Sequence, residues 1–136
     1  MNQKTEIMKK QIPTPMKVFI VDDSLIVRAR IVTMLSELES VEVVGHAQSS
    51  KEAAAAIPAI KPDVVILDIH MPGGNGIELL RHLKSFSPSP LVIMFTNFPF
   101  AQVRKECTLA GADYFFDKSR DFEKVAQVLG SLAERN

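Results

Sequence analysis

The chain has 136 residues, of which 46% are hydrophobic and 24% are charged, as is usual for a single globular domain. Its 16 basic residues balance its 16 acidic residues, so net charge does not favour binding to nucleic acid or to anionic lipid. We expect a cytoplasmic protein, because there is no apolar run of the roughly 20 residues that a membrane span needs, no secretory signal and no cysteine pair.

Short apolar runs alternate with amphipathic segments after a polar stretch, residues 1–15, which we interpret as a flexible tail before a domain over 16–136. Strands are predicted at residues 18–21, 41–44, 64–67, 91–95 and 114–116. Helices are predicted to begin near Leu25, Ser50, Gly76, Phe100 and Phe122. The first helix is expected to end near Glu39, and Pro58 is expected to end or bend the second. Strict alternation of unbroken apolar strands with helices indicates an α/β fold, with a five-stranded parallel sheet covered by helices on both faces.

Polar side chains follow four of the predicted strands at their carboxyl ends. Asp22 and Asp23 follow the first strand, Asp68 the third, Thr96 the fourth and Lys118 the fifth. Ligands of open parallel sheets bind at this edge. Three clustered carboxylates need a cation to stay ionised at neutral pH, and oxygen ligands suit Mg²⁺. A lysine and a hydroxyl suit a phosphoryl group, which a carboxylate can accept. The set predicts Mg²⁺-assisted phosphoryl transfer onto an aspartate.

The chain from about residue 17 to residue 134 resembles the receiver domain of bacterial response regulators, the phosphoproteins of two-component signal transduction. The resemblance rests on Val-Asp-Asp-Ser at 21–24, Leu-Asp-Ile-His-Met-Pro at 67–72, and Gly76, Thr96 and Lys118. It implies a flavodoxin-like (βα)5 fold with strand order 2-1-3-4-5. It also implies that Asp68 accepts a phosphoryl group from a sensor histidine kinase or a phosphotransfer protein in a phosphorelay.

The resemblance also implies individual roles. Mg²⁺ would be held by Asp22, Asp23, Asp68 and the backbone carbonyl of His70. The catalytic set would be Asp68, Thr96 and Lys118, with Lys118 pairing with one phosphoryl oxygen and Thr96 closing on another. Thr96 and Phe115 would form the switch that changes the surface of the fourth helix, fifth strand and fifth helix. We expect this surface to bind a downstream protein target or a second copy in a homodimer, with no direct contact to nucleic acid or membrane. The chain would not be an enzyme, although it would promote its own phosphorylation and dephosphorylation.

Two positions depart from the pattern usual in this family. The residue after the threonine is usually very small, and here it is Asn97, whose side chain is expected to narrow access to the phosphoryl group. The lysine is usually followed by proline, often after a cis bond, whereas here Ser119 follows. A cis bond without proline costs about 3 kcal/mol, so we expect a trans bond at 118–119 and a different loop after the fifth strand.

Three alternatives remain beside a stand-alone receiver. The chain could be the receiver fragment of a larger DNA-binding transcriptional regulator. An aspartate-based phosphatase would share the nucleophile and the metal, but it needs a second acid where this chain has His70. A flavin-binding protein of the same fold is disfavoured because Asp22 and Asp23 would repel the phosphate of FMN.

Other reactive or charged side chains receive structural interpretations. Cys107 lies on the apolar face of the fourth predicted helix and is expected to fill the core. Arg28 and Arg30 are interpreted as solvated charges. Gly73–Gly76 is interpreted as a turn that needs positive φ angles.

Overall fold

The computed structural model describes residues 14–134. The tail predicted over 1–15 lies almost entirely outside the described residues, as does the end of the predicted domain. None of the helices within 14–134 has the length and hydrophobicity needed to cross a bilayer.

The strands of the main sheet alternate with the helices, as the sequence pattern predicts. The strands are β1 (Met16–Val21), β2 (Val41–Ala47), β3 (Val64–Leu67), β4 (Leu91–Thr96) and β5 (Tyr114–Asp117). The helices are α1 (Leu25–Leu35), α2 (Ser50–Ile60), α3 (Gly76–Lys84), α4 (Ala101–Leu109) and α5 (Phe122–Glu134). A small antiparallel hairpin, His70–Met71 with Gly74–Asn75, lies between β3 and α3.

The five strands form one parallel sheet in the order β2-β1-β3-β4-β5, which confirms the predicted order. Val21 pairs with Leu67, and Thr96 pairs with Asp117. This register brings the carboxyl ends of β1, β3, β4 and β5 to one edge of the sheet. The residues that follow these strands therefore emerge side by side.

Helices cover both faces of the sheet, as predicted. Successive strand residues point to opposite faces, so β1 sends Phe19 and Val21 into one buried cluster and Val18 and Ile20 into another. The first cluster includes residues of α2, α3 and α4, and the second includes residues of α1 and α5. Cys107 is fully buried in the first cluster, and burial raises the pKa of its thiol to about 11. It is a neutral core residue, as expected.

Several predicted bounds are wrong by a few residues. α1 ends at Leu35 rather than near Glu39, and the Ser36 N–H closes its last turn on the Val32 carbonyl. β2 continues to Ala47, because its pairing with β1 extends to Val21. Of the two outcomes expected at Pro58, an end of α2 is excluded, since the helix runs to Ile60.

α4 begins at Ala101, next to its predicted start near Phe100. Phe100 is the N-cap residue and is 63% exposed. Gly111 follows the end of this helix with a φ of 102°, the left-handed conformation that glycine adopts readily after a helix.

Candidate functional site

Asp22 is fixed at the end of β1 by the start of α1. Its N–H donates to the Ala47 carbonyl at 3.0 Å, which extends the strand pairing by one residue. Its Oδ1 accepts from the Ser24 N–H at 2.9 Å, and the Ser24 hydroxyl in turn caps α1 by accepting from the Val27 N–H. The Asp22 side chain is buried, and its second oxygen faces the site.

Lys118 links the two buried carboxylates of the site. Its ammonium nitrogen lies 2.5 Å from Asp22 Oδ2 and 3.1 Å from Asp68 Oδ2. All three side chains are less than one-tenth exposed. The three residues come from the ends of β1, β3 and β5, so this contact is a product of the sheet order. The structure thus brings together three of the residues that the sequence places at strand ends.

Asp23 completes a cluster of three carboxylates. Oxygen atoms of Asp22, Asp23 and Asp68 all lie within 4.8 Å of one another, with Asp23 exposed and the other two buried. One lysine neutralises only part of this charge. An oxygen-only, negatively charged cluster open to solvent on one side fits a hard divalent cation such as Mg²⁺, which takes one or two carboxylates and keeps several waters.

The environment of Asp68 disfavours its charged form relative to a carboxyl in water. Burial raises the pKa of this carboxyl above 3.8, and the charge of Asp22 adds to the increase. Lys118 and the Ile69 N–H act in the opposite direction without cancelling it. The two oxygens of Asp68 differ in their surroundings: Oδ1 accepts from the Ile69 N–H at 2.8 Å, whereas Oδ2 contacts only Lys118 among the bonds described.

Thr96 and Phe115, the predicted switch residues, are both buried beside the site. The Thr96 hydroxyl accepts from the Phe98 N–H at 3.1 Å, so it is engaged within its own loop. The Phe115 ring is 9% exposed and points inward, and the Arg104 guanidinium carbon lies 4.6 Å from its centroid. The switch roles themselves stay predictions.

His70 and Asn97 lie at the exposed rim of the site. The His70 ring contacts Phe98 edge-on at 4.9 Å between centroids, which joins the loops after β3 and β4. The proposed metal contact of the His70 carbonyl and the effect of Asn97 on access stay predictions.

Residues that support the site were missed in the sequence. Arg28 is half-buried, and its Nη1 donates to the Asp22 backbone carbonyl at 2.7 Å. The Arg30 guanidinium carbon lies 3.7 Å from the centroid of the Phe122 ring. Both arginines were interpreted as solvated charges, and that interpretation is wrong for Arg28, whose position one turn after the Ser24 cap was the available signal.

The peptide bond after Lys118 is trans, as predicted. Within residues 14–134 the single cis peptide bond is Ser87–Pro88, so the bond at 118–119 is trans. Ser119 bonds instead to Asp117, through both its N–H and its hydroxyl. Neither Asp117 nor this contact was identified from the sequence.

Comparison with known proteins identifies relatives along most of the chain. The response regulator receiver domain family matches residues 18–130. The DNA-binding transcriptional activator DevR/DosR of Mycobacterium tuberculosis is 41% identical over 102 residues, which cover 75% of this chain and 47% of that protein. Protein-glutamate methylesterase/protein-glutamine glutaminase 1 of Carboxydothermus hydrogenoformans is 37% identical over 114 residues, which cover 83% of this chain and 34% of that protein.

A solved structure shares the whole fold. The chain is similar to a chain of the CheX-CheY-BeF3-Mg+2 complex from Borrelia burgdorferi, with a TM-score of 0.80 and 29% identity over 97% of this chain and 94% of that one. The two curated relatives are longer, since this chain covers less than half of each.

Proposed function

The chain belongs to the response regulator receiver domain family, and on this premise we propose that it is the phosphoacceptor of a two-component phosphorelay. The observation that carries the proposal is the contact of Lys118 with both Asp22 and Asp68 at the carboxyl edge of the sheet. Asp68 is the proposed acceptor, and a phosphohistidine of a sensor kinase or phosphotransfer protein is the proposed donor. The chain promotes this transfer and the later hydrolysis on itself, and it is not an enzyme acting on other substrates.

The surroundings of Asp68 identify which of its oxygens attacks. Oδ1 is held by the Ile69 N–H, so Oδ2 is the proposed nucleophile. Its lone pair forms the new bond to phosphorus while the bond from phosphorus to the donor nitrogen breaks, and the leaving imidazole takes a proton. Lys118 then exchanges its contact with Oδ2 for a phosphoryl oxygen. Because its ammonium already lies within 3.1 Å of Oδ2, this exchange needs only a small movement.

The carboxylate cluster is the proposed Mg²⁺ site. Receiver domains generally bind Mg²⁺ at an acidic pocket, and oxygens of Asp22, Asp23 and Asp68 are grouped suitably in this chain. The His70 carbonyl is the proposed fourth protein ligand. When bound, Mg²⁺ would supply positive charge that offsets the negative charge of the acceptor and of the phosphoryl group. Asp23 is the exposed member, so it is the ligand through which a hydrated cation can enter.

The surface beside the site supports a protein as donor. Leu25 and Ile26 begin α1 directly after the acidic pair, and they are 71% and 80% exposed. Large apolar side chains next to a reactive site are typical of protein contacts. We assign this end of α1 to contact with the kinase or phosphotransfer protein, in the cytoplasm.

The output surface is proposed to be formed by α4, β5 and α5. Thr96 and Lys118 lie at one end of these elements, and Phe115 lies beneath α4. Leu109 is 79% exposed on this helix. Movement of Thr96 toward a phosphoryl oxygen would break its bond to the Phe98 N–H and change the start of α4. The partner is a downstream protein target, or a second copy of the chain.

Phosphorylation of the purified chain tests the proposal directly. Incubation with phosphoramidate, whose phosphorus–nitrogen bond resembles that of phosphohistidine, should add one phosphoryl group by intact mass, in the presence of Mg²⁺ but not of a chelator. Asp68→Ala should abolish the gain. Asp63→Ala is the matched control, because Asp63 lies at the opposite end of β3. This substitution should leave the mass gain unchanged. A gain that persists in Asp68→Ala would refute the assignment.

A second candidate is supported by the relatives. DevR/DosR is a DNA-binding transcriptional activator, and this chain covers 47% of it. The chain could therefore be the receiver part of a longer DNA-binding regulator. Both candidates require the same phosphorylation of Asp68. The length of the native polypeptide distinguishes them, because only the second requires a DNA-binding domain in the same chain.

A further inference from the structure

The turn between β5 and α5, residues 117–121, is organised by carboxylates at both ends. Asp117 Oδ1 accepts two hydrogen bonds, from the Ser119 N–H at 2.9 Å and from the Ser119 hydroxyl at 2.7 Å. The Asp117 N–H donates to Asp121 Oδ2 at 3.0 Å. The Asp117 carbonyl accepts from the N–H groups of Arg120 and Asp121 at 3.2 and 2.8 Å. The turn thus has few polar groups free to rearrange.

Lys118 lies inside this network. Its own N–H donates to the Thr96 carbonyl at 2.9 Å, which continues the pairing of β4 with β5 by one residue. The residues on either side of it, Asp117 and Ser119, are joined by the two hydrogen bonds described above. Asp117 is buried, whereas Ser119 is exposed, so the bond between them spans from the core to the surface. Together these contacts fix the backbone from which the Lys118 side chain extends.

We propose that Asp117 and Ser119 are positioning residues that hold the Lys118 ammonium against Asp22 and Asp68. The inference rests on the proposed function, because it assigns these two residues a role in phosphoryl transfer. Lysine has a flexible stem with four carbons, so its backbone must be fixed for the ammonium to sit reproducibly between two carboxylates. The Ser119 hydroxyl donates to Asp117 Oδ1, and this bond is its proposed contribution.

The position of Lys118 has opposite consequences for two measurable properties. Its ammonium supports phosphoryl transfer by contacting the acceptor site. It also competes with a cation for the oxygens of Asp22 and Asp68. Loosening the turn should therefore slow phosphorylation and tighten Mg²⁺ binding. A general loss of structure at the site would weaken both.

The test compares four variants of the full chain: Asp117→Ala, Ser119→Ala, Ser119→Thr and Lys118→Met. Mg²⁺ binding is measured by calorimetry without a phosphodonor, and phosphorylation by phosphoramidate is followed by intact mass. Lys118→Met removes the ammonium, so it gives the largest expected decrease in phosphorylation rate and the largest expected increase in Mg²⁺ affinity. Asp117→Ala should slow phosphorylation about tenfold, since misplacement of a reacting group by 1 Å can cost up to about a hundredfold, and it should raise Mg²⁺ affinity a few fold.

The serine variants keep the test decisive even if Asp117→Ala does not fold. Ser119→Ala should change both properties in the same directions by a smaller factor, and Ser119→Thr, which keeps the hydroxyl, should restore them. The proposal is overturned if Ser119→Ala behaves as wild type while Lys118→Met shows both effects, or if the variants weaken Mg²⁺ binding along with the rate. Wild-type behaviour of Lys118→Met would refute the role of Lys118 itself, and with it the function proposed above.

Discussion

Gly76 offers a direct test of how tightly the acceptor loop is packed. It is the first residue of α3, and its N–H donates to the Ile69 carbonyl at 2.8 Å. A Cβ atom at this position would lie 2.0 Å from the Asp68 carbonyl oxygen and 2.8 Å from the Ile69 Cα. Close carbon–oxygen contacts in proteins are about 3.3 Å. Gly76→Ala therefore requires the backbone of α3 and that of Asp68 to separate by more than 1 Å.

The loss of stability caused by this separation can be estimated from the contacts that it disturbs. The Asp68 N–H donates to the Val21 carbonyl at 2.9 Å, so displacement of Asp68 disturbs the centre of the sheet. Overpacking against a rigid core costs about 1–3 kcal/mol, and strained backbone adds to it. We expect a loss of about 3 kcal/mol. For a chain of this size, that corresponds to a fall in Tm of roughly 10 °C.

Gly130→Ala is the matched control for the same substitution. Gly130 lies inside α5, where a Cβ would meet only Leu38 Cδ2, at 3.8 Å. Removing a glycine from a helix interior should stabilise the protein by about 0.5–1 kcal/mol. Urea and thermal unfolding of both variants measure the contrast. A Gly76→Ala protein within about 0.5 kcal/mol of wild type, with unchanged phosphorylation, would show that the loop is not packed as described.

Three further predictions concern the metal, pH and the output surface. Millimolar Mg²⁺ should raise the wild-type Tm, and Asp23→Ala should reduce this shift with the fold intact. A wild-type Tm that does not change with Mg²⁺ would exclude the metal site. Because the folded-state pKa of Asp68 is raised above 3.8, the metal-free protein should lose stability as pH rises through that pKa, and Asp68→Asn should remove the loss in melts across pH. Phe115→Ala should preserve phosphorylation but weaken the changes in amide exchange that beryllofluoride causes in α4, β5 and α5. Changes confined to α1 and α2 would place the output surface elsewhere.

The fold followed from local patterns to a large degree. Buried parallel strands are apolar on both faces, so they appear in the sequence as unbroken apolar runs. Their alternation with helices indicates an α/β fold. The end of β2 was missed because its last residues, including the exposed His46, lack an apolar pattern and are held by pairing with β1. Pro58 does not end α2, because a proline near the exposed end of a helix removes one hydrogen bond without stopping the helix.

The site was predictable in its members but not in its contacts. Strand ends and sheet order are enough to bring Asp22, Asp68 and Lys118 to one edge. Which oxygens the lysine contacts depends on the backbone of the β5–α5 turn, and the bonds of Asp117 with Ser119 that shape this turn have no signature in spacing. The contact of Arg104, from a different element, with the inward-facing Phe115 ring likewise has no signature in spacing.

The position of the phosphoryl group is the measurement that tests the central claim most directly. An aspartyl phosphate can be reduced by borohydride to homoserine, which marks the acceptor permanently and can be located by peptide mass spectrometry. After treatment with phosphoramidate and Mg²⁺, we predict homoserine at position 68 and at no other aspartate, and none when Mg²⁺ is chelated. Homoserine at Asp22, Asp23 or Asp117, or an unmodified residue 68 in a chain that has gained phosphate, would contradict the account.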